Sequence, residues 1–158
     1  MKPFSLVLAG LLFAVAVPHA RAAMPIHPAL KIKTLSGSQF DLAAQRGKWV
    51  IINFWATWCH PCIKEMPALS AFVKSHADVR AIGLAFEDAD PATLKAFLVK
   101  HPVSYPVARV NTSKPPADFD PPLGLPTTYL IAPDGKVAQK YVGPITLSDL
   151  RKAIGSSH

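Results

Sequence analysis

Between Trp49 and Ala56 the chain reads WVIINFWA, a near-continuous apolar run broken only by Asn53. Such a run is expected of a strand covered on both faces, the kind found inside a mixed or parallel sheet. Three residues past its end comes Cys59, followed by Cys62, and these are the two cysteines of the 158-residue chain. Any fold must therefore hold a buried central strand that delivers a close cysteine pair to one end of the sheet.

Gly, Pro, Asn and Asp divide the rest into alternating elements. ALKIKTL (29–35) predicts a first strand, turned by SGS (36–38), and residues 40–48 predict a short helical turn or loop. From His60 to about His76 the apolar positions Ile63, Met66, Leu69, Ala71, Phe72 and Val73 suit a helix, with Pro67 inside it as a kink site. VRAIGLAF (79–86) predicts the next buried strand. Asp90 and Pro91 then predict a helix start, with Leu94, Phe97 and Leu98 on its apolar face. YPVARV (105–110) predicts an edge strand because of Pro106. Residues 111–122 hold four prolines and predict loop, TTYLIAPDGKVAQKYVG (127–143) a hairpin, and residues 146–154 a capped closing helix. The order β-β-α-β-α-β-β-β-α predicts one α/β domain, a mixed sheet with helices on both faces.

The first 22 residues stand apart. Lys2 precedes an apolar run from Phe4 to Val17, Pro18 breaks it, and Ala20-Arg21-Ala22 has the small-x-small form of a cleavage site. This predicts a signal peptide at 1–22 and a mature domain at 23–158, exported to the periplasm. A retained anchor is the alternative, but the run is shorter than the roughly 20 residues a span needs. No cysteine near the cleavage site could carry a lipid. Losing Lys2 and Arg21 lowers the formal net charge from +7 to +5. The remaining basic residues are scattered, which speaks against nucleic-acid binding.

Export gives the cysteine pair its meaning. Thiols outside the cytosol tend to become disulfides. A structural staple gains most when it closes a long loop, and this one encloses only His60 and Pro61. The spacing suits a disulfide that is broken and remade. Cys59 sits before the predicted helix and Cys62 within its first turn. Unpaired N–H groups and the positive dipole end favour a thiolate there, with pKa lowered to about 3.5–7.5 in such motifs. Cys59 is thus the expected nucleophile and Cys62 the resolving thiol. His60, if protonated, would lower the Cys59 pKa further and make the disulfide more oxidising; an exposed histidine without influence is the alternative. Pro61 stiffens the loop, Trp55 is expected to pack beneath the site, and Trp58 to border it as an apolar contact for a partner chain. Glu65, three residues after Cys62, lies on the same helical face and could take its proton, directly or through water. The alternative is a solvated glutamate paired with a lysine.

NFWATWCHPCIKEMPAL together with GLPTTYLIAPDGKV resembles the thioredoxin superfamily, and more narrowly the exported thioredoxin-like proteins of the TlpA, ResA and DsbE type. The resemblance covers Ala29 to the C-terminus. It implies a thioredoxin-like fold with an N-terminal extension and an extra αβ insertion that includes the helix 91–100. It implies a cis peptide bond at Leu125-Pro126 against the cysteine pair, with Leu125 and Thr127 contributing backbone contacts to an incoming chain. Thioredoxins proper carry a buried aspartate where this chain has Asn53. In TlpA-type proteins an asparagine is common there, and a glutamate at the position of Glu65 handles the proton. Glu87, at the end of a central strand, is a second candidate for modulating the site.

The implied activity is thiol–disulfide exchange with exported protein thiols, with no cofactor and no metal, by a monomer kept reduced by a membrane thiol-redox donor. Apocytochrome c is one implied client. His60 departs from the glutamate or glycine that many reductive members carry, so an oxidant that donates its disulfide, like DsbA, is the alternative direction. A copper-binding assembly factor of the same fold is a third reading. Its relatives prefer Cys-x-x-x-Cys with a distant histidine, which this chain lacks. A peroxidase fits less well, since its reactive cysteine does not sit in Trp-Cys-x-x-Cys.

Overall fold

The computed structural model describes residues 24–155; the leader expected at 1–22 lies outside the described residues. Seven strands and three helices follow in order: β1 (Lys31–Lys33), β2 (Gln39–Asp41), β3 (Trp49–Trp55), α1 (His60–Ser75), β4 (Val79–Phe86), α2 (Pro91–Lys100), β5 (Val107–Val110), β6 (Thr127–Ile131), β7 (Val137–Val142) and α3 (Leu147–Gly155). Five strands form the central sheet in the order β5-β4-β3-β6-β7. β3 pairs in parallel with β4 and antiparallel with β6, which makes the sheet mixed as expected. Every residue of β3 is buried, so the apolar run is the central strand it suggested.

Two expectations are corrected. The first strand does not enter the central sheet. It is shorter than 29–35 and pairs in a separate two-stranded hairpin with β2, which takes up the start of the stretch expected to be a short helical turn or loop; the helical turn itself forms at Ala43–Gln45. The hairpin touches the sheet through the Leu35 N–H, which donates to the Val107 carbonyl at 2.8 Å. Nor do the helices divide between the two faces. The step from β3 to β4 and the step from β4 to β5 are both parallel and run the same way across the sheet. Right-handed crossovers then place α1 and α2 on one face. Met66, Leu69 and Phe72 of α1, Leu94 of α2 and Leu150 of α3 accordingly share one core cluster with Trp49, Ile51 and Trp55. The opposite face, with Val50, Ile52 and Phe54, is covered by Leu30, Phe40 and Leu42 from the N-terminal segment and by Phe119.

Phe119 gives the proline-bearing loop a structural task. Its ring packs edge-on against Tyr129 at 5.1 Å and lies 6.3 Å from Phe54, closing the face that has no helix. The helix starts follow their sequence signals. Asp90 Oδ1 accepts from the N–H groups of Ala92 and Thr93 at 2.8 and 3.0 Å. Thr146 and Asp149 cap α3 reciprocally, each backbone N–H donating to the other's side chain.

Under α1 the sheet is tightest at Gly83, in register with Asn53. A β-carbon there would lie 3.0 Å from Trp55 Nε1 and 3.2 Å from Tyr105 Cε2. Both neighbours are bulky aromatics in the core, so neither yields easily. Gly83→Ala should therefore lower stability by about 1–3 kcal/mol in urea unfolding. A wild-type midpoint would show that this packing is looser than the contacts indicate.

Candidate active site

β3 ends at Trp55, and the segment 56–58 carries the chain to Cys59 at the start of α1. Cys59 is the N-cap residue in extended conformation, and its sulfur accepts the N–H of Cys62 at 3.3 Å. The same atom is thus a helix cap and one half of the Cys59–Cys62 disulfide, closed at an S–S distance of 2.04 Å. Pro61 at the second helical position lacks only an N–H that would find no partner in the helix. Cys62 has no exposed surface and Cys59 4%, so attack from outside reaches Cys59. His60 and Trp58 are exposed on either side of it, Trp58 with 67% of its surface in solvent.

Behind the pair, Glu65 is buried and is no surface glutamate paired with a lysine. One carboxylate oxygen accepts from Asn53 Nδ2 at 2.8 Å, the other from the backbone N–H of Ile145 at 3.1 Å. Asn53 Nδ2 also donates to Thr128 Oγ1 at 3.0 Å. The Glu65 pKa is raised above its ordinary range: removal from water dominates, and the hydrogen bonds from Ile145 and Asn53 only partly oppose it. Tyr105, buried nearby, is pushed up as well, by burial first and by the charge of Glu65 second. Trp55 packs under the site as expected, stacked on Phe97 with ring centres 5.4 Å apart.

The third part of the site is the turn before β6. Leu125-Pro126 is cis, and the Pro126 carbonyl accepts the Gly143 N–H at 2.8 Å. Leu125 is half-buried and packs against the cluster that holds both cysteines. Thr127, grouped with it in the sequence, is fully buried within β6, and its hydroxyl donates to the Gly124 carbonyl at 2.7 Å. Gly124, two residues before Pro126, is half-buried as well. Two apolar side chains that the sequence did not single out flank this segment: Leu123, 95% exposed, and Val142, 60% exposed. Ile145, Thr128 and Thr57 were also missed. The antiparallel register that pairs Asn53 with Thr128 cannot be read from either residue alone.

The raised pKa of Glu65 has a measurable consequence. Its acid form is the one favoured on folding, so the stability it contributes is fully present below its unfolded value, near 4.5. That contribution is lost as pH rises through the folded value. Unfolding titrations of the wild type and Glu65→Gln should show the wild type losing ground as pH rises above 4.5. A constant gap between the two proteins would mean that the folded carboxyl titrates normally.

Comparison with known proteins agrees with this geometry. Residues 26–140 match the AhpC/TSA family. The thioredoxin-like protein YneN of Bacillus subtilis (strain 168) is 32% identical over 130 residues, spanning 80% of this chain and 75% of that protein. The thiol-disulfide oxidoreductase ResA of Bacillus anthracis is 34% identical over 126 residues, spanning 78% of this chain and 71% of its own. A thiol:disulfide interchange protein of the thioredoxin family from Chlorobium tepidum TLS superposes with a TM-score of 0.73 at 27% identity, over 87% of this chain and 99% of that one. With its redox pair at the head of a helix under a thioredoxin-like sheet, the chain belongs to the AhpC/TSA family as a thioredoxin-like thiol–disulfide oxidoreductase.

Proposed function

We propose that the mature chain, residues 23–158, is a monomeric periplasmic reductant of protein disulfides, released from the leader 1–22 and recharged by a membrane thiol-redox donor. Cytochrome c maturation is the proposed setting, with an apocytochrome disulfide as client. The observation that carries the proposal is the division of the pair. The sulfur of Cys59 accepts a helix N-terminal N–H, while Cys62 is sealed from solvent on the same helix as the buried carboxylate of Glu65, three residues on.

In the reduced protein the Cys59 thiolate attacks one sulfur of the client disulfide. A mixed disulfide forms and the client's other sulfur leaves as a thiolate. Cys62 loses its proton to Glu65 and attacks Cys59 Sγ. The Cys59–client bond breaks, the second client sulfur leaves, and the Cys59–Cys62 disulfide closes. Two electrons have passed from the pair to the client. A carboxyl whose pKa is raised by burial suits this task, because its acid form is favoured beyond the ordinary carboxylate range. Trp58, Leu125 and the segment before Pro126 offer the client an apolar contact and free backbone, and Thr127 holds that segment from below.

His60 supports the opposite direction, since a cation at the head of α1 would stabilise the Cys59 thiolate and make the disulfide oxidising. The potential decides between the two. Equilibration with glutathione or dithiothreitol should place the pair near or below about −270 mV, and a value near −120 mV would make the protein an oxidant. Cys59→Ser should abolish insulin reduction. Cys62→Ser should accumulate the mixed disulfide, and Glu65→Gln should slow its resolution on the order of 10²-fold near neutral pH. Rapid resolution in Glu65→Gln would remove the carboxyl from the mechanism.

A further inference from the structure

A second carboxylate lies on the Cys59 side of the pair. Glu87 follows the last residue of β4, and its two oxygens grip one residue of the loop that carries the nucleophile. Oε1 accepts the Thr57 N–H at 2.7 Å and Oε2 accepts the Thr57 hydroxyl at 2.8 Å. Thr57 precedes Cys59 by two positions, and the Cys59 N–H closes the same turn by donating to the Ala56 carbonyl at 3.1 Å. Both Glu87 and Thr57 are half-buried. Among the described residues no lysine or arginine is ion-paired with Glu87; its neighbour Asp88 turns away to Arg109 at 3.1 Å.

A loop N–H and a hydroxyl at this depth could be satisfied by water. A carboxylate in their place brings a negative charge onto the loop two residues before the nucleophile. We propose that Glu87 is a positioning residue that sets the redox poise of the pair, its charge anchored through Thr57 against the Cys59 thiolate. Like charges at short range disfavour the ionised form of the group that can give way, here the thiol. A less stable thiolate makes the reduced protein less stable and the pair a stronger reductant. The other groups facing this end are His60 on α1, Glu65 behind Cys62, and Lys100 on α2, which borders a surface hollow beside Thr57. Glu87 thus opposes the helix N-terminus, which favours the thiolate.

The proposal rests on the redox role of the pair and sharpens the reading of it as a reductant. The test compares Glu87→Gln, Glu87→Asp and Asp88→Asn in the mature chain. It reads the Cys59 acid constant from alkylation rate against pH and the equilibrium constant with glutathione. Glu87→Gln should raise the acid constant about threefold and shift the glutathione equilibrium as much toward the reduced protein, roughly 15 mV. Glu87→Asp keeps the charge and should remain near wild type. Asp88→Asn removes the same charge one residue away, without touching Thr57, and should also leave both constants unchanged. Wild-type constants in Glu87→Gln would overturn the proposal. So would an equal shift in Asp88→Asn, which reports net charge alone, or in Glu87→Asp, which reports geometry alone. The absolute wild-type potential tests the direction of electron flow separately. An oxidising value would end the reductant reading and leave the sign of the Glu87→Gln shift to be judged by itself.

Discussion

The contact between the Cys62 N–H and the sulfur of Cys59 joins the fold to the chemistry. A helix begun after a buried strand leaves its first N–H groups without partners, and something must accept them. Here the acceptor is the reactive atom itself. Once the pair is fully reduced, the Cys59 thiolate is already aimed at a donor and at the positive end of a sixteen-residue helix. A helix terminus favours an anion by about 0.3–1 kcal/mol at an exposed site and up to about 2 kcal/mol when partly buried. With 1.36 kcal/mol per pKa unit, that is worth roughly one unit of thiol acidity. The helix end therefore favours the Cys59 thiolate, and the groups around it adjust the balance.

Glu65 is held by a different balance. Removing a carboxylate from water costs several kcal/mol even after relaxation. A hydrogen bond to a charged group gives back about 1.5–3 kcal/mol, and Glu65 has two such bonds, from the Asn53 amide and the Ile145 N–H. The two sums nearly meet, and the raised pKa shows that desolvation keeps the upper hand. The network also ties three distant parts of the chain to one point: β3, α1 and the segment leading into α3. A carboxyl whose acid form is favoured by burial and whose two oxygens are locked into the framework is suited to moving a proton without moving itself.

The parts legible in the sequence are those encoded locally. The apolar run of β3, the Asp90-Pro91 start of α2, the Pro-Asp-Gly turn between β6 and β7 and the cysteine spacing each lie within a few residues, and each was found where expected. The parts that were not legible depend on topology. Gln39–Asp41 is only three residues long, and pairing with β1 makes it a strand, not its own pattern. The one-sided helix layer follows from two crossovers stepping the same way, which no single segment records. Glu65 could be singled out from its place one turn past Cys62, but its backbone partner is 80 residues away. Thr127, read as an open contact from its place after Pro126, proves to be interior because β7 covers the outer side of β6.

The site thus carries opposing electrostatic terms at each sulfur. At Cys59 the helix end pulls toward the thiolate, and the carboxylate of Glu87, held through Thr57, pulls against it. At Cys62 the apolar surroundings favour the thiol, and Glu65 offers an acceptor for its proton. Each sulfur must change charge state in turn during one exchange. If any single term dominated, one sulfur would be fixed in one state: a permanently ionised Cys59 leaves a mixed disulfide too easily, and a permanently neutral Cys62 never resolves it. Near-cancellation lets a small change at an outer group move the poise of the pair without disturbing the core beneath it. The outer groups differ in where they sit. Glu65 is built into the sheet–helix interface and cannot change without affecting the fold, whereas His60 is exposed and Glu87 is half-buried at the rim, tied to the loop at Thr57. Variation in redox direction on this framework is therefore expected to concentrate at the rim and to leave Asn53 and Glu65 alone.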